Sequence, residues 1–411
     1  MRAALITSGT MPLPAVKGGA VETLAEHYLR ENERTHRCEF TVYSVYDERV
    51  EAFCGTGRLT PSSTRPNGNA QAGAQRTYSH AAFKYVRTDN LFYKIRRKAF
   101  ALTHKGLYYD PHIEYFLRSV LNDVRDGAFD YVIIENRPGF VLPVAQVSTA
   151  RVILHVHNDM LSPAARQAKD IVEACYRVVT VSDYLTAIVR TLHCREDNIV
   201  TIHNGIDLTK YYDHAAGDAA RRQVGFDSND LVIVFIGRVI PEKGLLEAVK
   251  AVATLTDLPD VRLLVVGSSV YGAEEQTDYV RAVRAAATQL PEGTVTFTGF
   301  VPYDDTPRYL HAADIAILPS LWDEPAGLTV VECMAAGLPV ITTRAGGIPE
   351  YADDTTALFV SRENAVDSIA AAIRRLHDSP ALRARLAQGG RQRAALFDAH
   401  TYANNFLSLM A

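Results

Sequence analysis

Residues 231–244 read LVIVFIGRVIPEKG, and this stretch decides the fold class. Its first six residues are all large and apolar, and four of them are β-branched. Such short runs are typical of parallel strands that are buried on both faces of a sheet. The run ends in a glycine turn with charged residues, which is how a strand leads into a helix of an α/β fold.

The same pattern extends over nearly the whole chain. Apolar runs of strand length alternate with longer amphipathic windows such as Val21–Leu29, whose apolar residues keep helical spacing. The alternation predicts two successive doubly wound α/β domains, divided near residues 205–230. The other predicted strands are Ala3–Thr7, Phe40–Val45, Tyr131–Ile134, Val152–Val156, Val178–Val181, Arg262–Val266, Val295–Thr298, Ile315–Leu318 and Val340–Thr343.

The composition excludes several classes of protein. The chain has 411 residues, with 43 Lys and Arg against 47 Asp and Glu, so its net charge of −4 argues against a nucleic-acid partner. Its five cysteines lie far apart without a Cys-x-x-Cys, which argues against a disulfide framework or a zinc ribbon. The first residues are too poor in apolar side chains for a signal peptide, and no stretch approaches 18 apolar residues. We therefore expect a cytoplasmic protein.

Two segments depart from the alternation. Residues 55–77 have Leu59 as their only large apolar side chain, so we expect a mobile loop. Residues 83–107 interleave seven basic residues with aromatic ones around a single acid, Asp89. This second segment is either a solvated helix face or a surface for anionic lipid or a lipid-linked diphosphate. Nucleic acid is a third and weaker alternative, because the rest of the chain is acidic.

Residues suited to binding an anion occur in both halves of the chain. Gly18 and Gly19 precede the first predicted helix, where backbone N–H groups could approach a phosphate, although the same glycines could form a simple turn. Arg238 and Lys243 follow the strand 231–236, and together they could hold a diphosphate.

Two further motifs suggest a hydroxylated ligand and a histidine beside it. Gly327 can open a helix that carries Glu332, and Glu324 lies in the loop before it; carboxylates in this arrangement can accept hydrogen bonds from sugar hydroxyls. His155 and His157 end the strand 152–156 and point the same way, so they could be a metal pair or structural residues. A nucleotide sugar in an interdomain cleft would use all of these groups.

The ordered set of motifs resembles the retaining glycosyltransferases of family 4, which have the GT-B fold with two Rossmann-like domains facing a cleft. The motifs that carry the resemblance are Gly18-Gly19, His157, Asn204–Asp207, Gly237-Arg238, Lys243-Gly244, Thr298–Val301, Glu324 with Glu332, Gly337–Val340 and Gly346-Gly347. This chain has Pro325-Ala326-Gly327 and Glu332-Cys333 where family members commonly have Pro-Phe-Gly and Glu-Ala. These departures put the shape of the sugar pocket in doubt.

The resemblance implies a role for each domain and residue. Residues 1–205 would be the acceptor domain, with a final helix at about 397–411 packing back on it, and 206–396 would bind the donor. Arg238 and Lys243 would bind the diphosphate, Glu332 the ribose and Glu324 the sugar hydroxyls. His157 would face the transferred sugar, and Val301 would border the base. The remaining donor-binding residues would be Gly18, Gly19, Gly327, Leu328 and Thr329, and the catalytic set would be His157, Glu324, Arg238 and Lys243.

We therefore expect a metal-independent hexosyl- or deoxyhexosyltransferase of cell-surface polysaccharide biosynthesis. It would need no cofactor, would take a UDP or dTDP sugar as co-substrate, and would act on a lipid-linked or oligosaccharide acceptor. It would be cytoplasmic, or peripheral at the inner face of the cell membrane, and would not bind nucleic acid. The alternatives are a GT-B phosphorylase or sucrose-type enzyme, a non-catalytic nucleotide-sugar binding protein, and a metal hydrolase that uses His155 and His157.

Overall fold

Two parallel β-sheets organise the chain. The computed structural model describes residues 1–52, 78–88, 111–212, 217–269 and 276–410, without the side chains of 111–113. By their contacts the residues divide into two units. The N-terminal unit comprises Met1–Val181, Leu185–Ile202 and Tyr402–Ala411, and the C-terminal unit comprises Ser182–Tyr184 and His203–Thr401.

The N-terminal unit contains a seven-stranded sheet with the order β3-β2-β1-β4-β5-β6-β7, and every neighbouring pair is parallel. Its strands are β1 (Arg2–Ile6), β2 (Glu39–Val45), β3 (Ala81–Val86), β4 (Tyr131–Glu135), β5 (Arg151–Val156), β6 (Arg177–Thr180) and β7 (Ile199–Thr201). Its helices are α1 (Ala20–Thr35), α2 (Pro111–Asp126), α3 (Val141–Val147), α4 (Ala168–Ala174) and α5 (Asp183–Arg190), whose first two residues cluster with the other unit.

The C-terminal unit contains a six-stranded parallel sheet with the order β10-β9-β8-β11-β12-β13. Its strands are β8 (Leu231–Ile236), β9 (Val261–Val266), β10 (Val295–Gly299), β11 (Ile315–Leu318), β12 (Val340–Thr343) and β13 (Ala357–Val360). Its helices are α6 (Gly217–Gln223), α7 (Leu245–Thr254), α8 (Asp278–Ala287), α9 (Thr306–His311), α10 (Leu328–Ala335), α11 (Ile348–Tyr351), α12 (Ala365–His377), α13 (Pro380–Ala394) and α14 (Ala399–Ser408), which continues into the N-terminal unit from Tyr402.

Strand β8 shows why this sequence forms a doubly wound sheet. Successive side chains of a strand point to opposite faces. In β8, Val232, Val234 and Ile236 join one buried apolar cluster, while Leu231, Ile233 and Phe235 join another. Both faces are therefore covered, and a continuous apolar run is the pattern that such a strand requires.

The predicted fold class is confirmed, and each predicted strand is present within one residue of its expected bounds. Three strands were not predicted: β3, β7 and β13. The first of these also corrects an expectation, because residues 83–86 of the basic segment lie in a strand and not on a helix face. Residues 89–107 of that segment and the expected loop 55–77 lie outside the described residues.

Candidate functional site

The C-terminal sheet reverses its strand order between β8 and β11, which are direct neighbours. The loops that follow these two strands leave the same edge of the sheet, and α/β proteins bind their ligands at such a reversal. The two loops are joined, because the Leu321 N–H donates to the Glu242 carbonyl at 2.8 Å. Of the predicted donor-binding residues, Arg238 and Lys243 follow β8, and Glu324, Gly327, Leu328 and Thr329 follow β11.

Lys243 and Glu324 form an ion pair across the reversal. Lys243 Nζ lies 2.6 Å from Glu324 Oε1, and the Ser320 hydroxyl donates to the same oxygen at 2.6 Å. The side chains of Lys243 and Glu324 are 27% and 13% exposed. The Gly347 N–H holds the Glu324 carbonyl at 2.7 Å. The structure thus places Lys243, which is expected to bind the diphosphate, in direct contact with Glu324, which is expected to bind the sugar.

Arg238 is exposed in the loop after β8. Its guanidinium forms no ion pair with any acid in the described part of the chain, and it shares no hydrogen bond with Lys243 or Glu324. A solvated guanidinium at the end of a strand is available to an anionic ligand.

Helix α10 begins directly after Gly327 and has no side-chain cap at its N-terminus. The first backbone N–H groups of a helix have no partner within it, so those of Leu328 and Thr329 are available to an anion. Along α10, the N–H of Val331 is the first that donates a hydrogen bond to a preceding carbonyl, that of Gly327, at 3.0 Å. The expected helix start at Gly327 is therefore confirmed.

Glu332 lies in the second turn of α10 and is buried. The Tyr303 hydroxyl donates to its Oε1 at 2.9 Å. Burial raises the pKa of Glu332 to about 7, and the hydrogen bond from Tyr303 and the positive charge of Lys210 lower it in part. The carboxyl group is therefore easier to protonate than that of a solvent-exposed glutamate.

Val301 follows β10 and packs, partly buried, against the same apolar cluster as Val330. Its expected contact with the base of a nucleotide is untested.

In the N-terminal unit, Gly18 and Gly19 form the turn before α1 with φ of 76° and 105°, a backbone conformation that L side chains rarely adopt. The neighbouring Glu22 is buried and accepts a hydrogen bond from the Ser8 hydroxyl at 3.2 Å. Burial raises the pKa of Glu22 to about 7. The turn predicted at the two glycines is present, and whether it binds a phosphate remains a prediction.

His157 follows β5, and its ring is held by a buried carboxylate. His157 Nε2 lies 2.9 Å from Glu135 Oε2, and the side chain is 6% exposed. Its main-chain N–H donates to Asn136 Oδ1 at 3.0 Å. Burial lowers the pKa of His157 to about 4, so the ring is neutral at physiological pH.

Among the described residues, two groups offer ligand atoms close enough to hold a metal ion. Glu135, His155 and His157 form one of them, and Asp183, His203 and Glu350 of the C-terminal unit form the other. In each group the ligand atoms lie within 4.8 Å of one another. In the first group the same atoms are engaged in hydrogen bonds between histidine and carboxylate.

Sequence reasoning missed Glu135, Ser320 and Tyr303. Glu135 ends β4 directly after four apolar residues and beside His155 of β5. The sequence indicates an acid at the end of an apolar strand, but its burial beside His155 depends on the fold. Ser320 and Tyr303 gave no sequence signal, because only the fold brings them to Glu324 and Glu332.

Residues 217–393 match the family model of the Glycosyl transferases group 1. The Bacillus subtilis protein YtcC is 28% identical over 318 residues, which cover 73% of this chain and 77% of that protein. A GDP-mannose-dependent monoacylated alpha-(1-6)-phosphatidylinositol monomannoside mannosyltransferase of Corynebacterium glutamicum is 29% identical over 260 residues, 60% of this chain and 66% of that enzyme. These matches support a glycosyltransferase.

Among solved structures, Anabaena Alr3699/HepE in complex with UDP and glucose superposes with a TM-score of 0.73. It is 20% identical, and the match covers 99% of this chain and 98% of that one. The fold is GT-B, as the motifs predicted. None of the helices in the described ranges is long and apolar enough to cross a membrane.

Proposed function

We propose that this chain is a retaining glycosyltransferase of family 4 that moves a hexose or deoxyhexose from a nucleotide diphosphate sugar to a lipid-linked or saccharide acceptor. The observation that carries the proposal is the contact between Lys243 and Glu324 at the strand reversal of the C-terminal unit. A ligand that contains both a diphosphate and a sugar needs a cation and a carboxylate side by side, and Lys243 and Glu324 meet this need.

The donor is held by the C-terminal unit. Arg238, Lys243 and the free N–H groups at the start of α10 bind the diphosphate, Glu332 binds the ribose, and Val301 borders the base. Glu324, with the backbone of Gly327–Thr329, binds the sugar. UDP or dTDP is the favoured nucleotide, and the complex of Alr3699/HepE with UDP and glucose supports this choice.

The N-terminal unit supplies the remaining residues of the proposed site. The turn at Gly18 and Gly19 serves the donor phosphate, and His157 serves the transferred sugar. His157 is suited to bind a hydroxyl, because it is neutral at physiological pH and its ring is fixed by Glu135.

The proposed chemistry keeps the configuration of the anomeric carbon. The bond from that carbon to the diphosphate oxygen breaks, and a bond to the acceptor oxygen forms on the same face. The acceptor proton passes to the leaving phosphate oxygen. Positive side chains and a helix N-terminus stabilise the leaving diphosphate, so that no metal ion is needed. Double displacement would require a carboxylate nucleophile beside the anomeric carbon, and neither Glu324 nor Glu332 has that role in the proposal.

The proposed acceptor belongs to cell-surface polysaccharide assembly, and the protein would be cytoplasmic or peripheral at the inner face of the membrane. The Corynebacterium relative, whose name specifies a phosphatidylinositol mannoside acceptor, supports a lipid-linked acceptor. Of the basic segment 83–107, only the first six residues are described. There Lys84 pairs with Asp123 at 2.5 Å, and Arg87 lies 4.1 Å from the ring centre of Tyr46. A membrane role would therefore depend on the rest of the segment.

A thermal-shift panel tests the donor half of the proposal. It would compare UDP, dTDP, GDP and ADP and their sugar conjugates, with and without EDTA, on the wild type, Lys243→Ala and Lys250→Ala. Lys250 is an exposed lysine of α7 and serves as the matched control. A ligand at about 100 times its dissociation constant adds roughly 2.7 kcal/mol, which is a shift of several degrees.

We expect the ligands with one base to raise the unfolding temperature more than the others, with or without EDTA. This rise should be lost in Lys243→Ala and kept in Lys250→Ala. No shift with any nucleotide would contradict the proposal and favour a phosphorylase or a hydrolase. A shift without transfer to any lipid or saccharide acceptor would favour a binding protein. Dependence on a metal ion would contradict the proposed mechanism.

A further inference from the structure

Glu135 is a fully buried carboxylate that receives hydrogen bonds from three side chains. The Tyr28 hydroxyl donates to its Oε1 at 2.7 Å, and His155 Nδ1 lies 3.3 Å from Oε1 and 3.1 Å from Oε2. His157 Nε2 lies 2.9 Å from Oε2. The side chain of Glu135 is 1% exposed and that of His155 is not exposed.

Glu135 is ionised in this environment. Burial alone would raise the pKa of Glu135, but the His155 and His157 rings beside it lower that pKa well below its usual range. An ionised carboxylate can only accept hydrogen bonds, so each of its three partners must donate.

This requirement assigns the proton of the neutral His157 ring. A neutral imidazole has one N–H, and its other nitrogen is an acceptor. His155 donates through Nδ1, and its buried Nε2 has no hydrogen-bond partner among the described residues. His157 must carry its proton on Nε2, so its Nδ1 is unprotonated and can accept a hydrogen bond.

Aromatic rings pack around Glu135 and its partners. The Tyr28 ring stacks on Phe406 with centroids 4.5 Å apart, and the His155 ring lies 4.9 Å from Phe406. This packing leaves Glu135 1% exposed and His155 not exposed at all. The backbone of His157 is fixed in turn by its N–H bond to Asn136 Oδ1.

We infer that Glu135 is a positioning residue: it fixes His157 in the Nε2–H tautomer, so that the ring offers Nδ1 to a substrate as an acceptor for a hydroxyl proton. The role in transfer rests on the proposed function, whereas the tautomer does not. A ring protonated on Nδ1 would instead donate a hydrogen bond from the same position. It would bind the oxygen of a sugar hydroxyl and could not accept the hydroxyl proton.

Glu135→Gln tests the inference, because the amide has almost the same shape but can donate as well as accept. The tautomer is read from two-bond ¹⁵N–¹H correlation spectra of the histidine-labelled, EDTA-treated protein at pH 7.5. His157→Asn assigns the His157 signal. Glu39→Gln is the matched control, since Glu39 is exposed and holds His80 Nδ1 at 2.7 Å.

We expect the Nε2–H tautomer of His157 in the wild type and a changed protonation pattern in Glu135→Gln, but not in Glu39→Gln. We also expect kcat to fall about 10- to 100-fold in Glu135→Gln, in line with the loss of a hydrogen bond to a charged group, with nucleotide affinity unchanged. When combined with His157→Ala, Glu135→Gln should have little further effect on kcat, because both changes act through one ring.

An Nδ1–H signal for His157 in the wild type would overturn the inference, and this observation needs no variant. Additive losses of kcat in the double variant would show that Glu135 acts independently of His157. Broadening of the His155 and His157 signals by one equivalent of Zn²⁺ would show a metal site instead. If the chain transfers no sugar but shows the Nε2–H tautomer, the proposed function fails and the assignment of the tautomer stands.

Discussion

Lys243 Nζ lies 2.6 Å from Glu324 Oε1, although 81 residues separate the two in sequence. The reversal of strand order between β8 and β11 brings them together, because each residue lies in the loop that follows one of these strands. Ser320 donates to the same carboxylate oxygen, so Glu324 is held by two partners. In the proposed donor complex, the negative phosphate would compete with Glu324 for the ammonium group.

Replacing Lys243 by alanine should weaken the binding of every nucleotide diphosphate by about 10- to 100-fold, the usual effect of losing a hydrogen bond to a charged group. Isothermal calorimetry with the favoured nucleotide would measure this. Glu324→Gln should leave the affinity for the free nucleotide nearly unchanged or improve it, because the ammonium loses a competing partner, while transfer falls. Equal losses of nucleotide affinity in both variants would contradict the separate roles of the two residues.

Replacing His157 by alanine should lower sugar transfer to a small residual rate and spare the binding of the nucleotide. His157 belongs to the N-terminal unit, whereas the proposed phosphate ligands Arg238 and Lys243 belong to the C-terminal unit. The dissociation constant of the nucleotide and the rate of transfer would be measured on the same preparation, with Arg238→Ala for comparison. If His157→Ala lost as much nucleotide affinity as Arg238→Ala, this division of roles would be wrong.

Replacing Glu332 by glutamine should stabilise the protein at neutral and higher pH. Burial raises the pKa of the folded carboxyl from 4.5 to about 7, while the unfolded chain keeps the lower value. As the pH rises from about 4.5 to 7, the unfolded state ionises first, so the free energy of unfolding decreases and then levels off. One pKa unit corresponds to about 1.4 kcal/mol, so the wild type should lose as much as about 3 kcal/mol through this window.

Calorimetric unfolding of the nucleotide-free protein between pH 4.5 and 8 would measure the difference between Glu332→Gln and the wild type. The groups that face Glu332 are Tyr303, Tyr211 and Lys210, and all three are present in both proteins. Glu22 has a similarly raised pKa but contributes equally to both, so it cancels in the difference. A difference in stability that does not change with pH would show that Glu332 ionises normally.

Apart from β10, which is mostly only partly buried, the strands that the sequence predicted are buried along most of their length. All six residues of β8 are buried, and an unbroken apolar run reports this directly. In contrast, β3 has only one buried residue and contains Lys84, while β7 has only three residues. Neither of these two strands has a long unbroken apolar run, so the local sequence does not indicate it.

The candidate site was predictable where a local motif carried it and unpredictable where the fold assembled it. Gly327 and Glu332 lie on one helix, so their spacing along the chain indicates their arrangement. Glu135 was missed, because a terminal acid on a strand usually faces water, and here the packing of Tyr28, His155 and Phe406 buries it. The burial of a charge is decided by residues distant in sequence, and no local pattern reports it.

Replacing Gly346 by alanine should disturb Glu324 without touching its side chain. Gly346 has φ of 55°, and a Cβ there would lie 2.2 Å from the Glu324 carbonyl oxygen. The left-handed conformation costs an L residue about 1–2 kcal/mol, and the clash would in addition push the Glu324 backbone away from Lys243.

Gly293→Ala is the matched control, since Gly293 has φ of 80° and a Cβ there would meet nothing within 4 Å. Both variants should unfold at a lower temperature, but only Gly346→Ala should also lose sugar transfer, measured at a temperature where both are folded. Full transfer by Gly346→Ala would show that the position of Glu324 tolerates this shift and is less critical than its contact with Lys243 indicates.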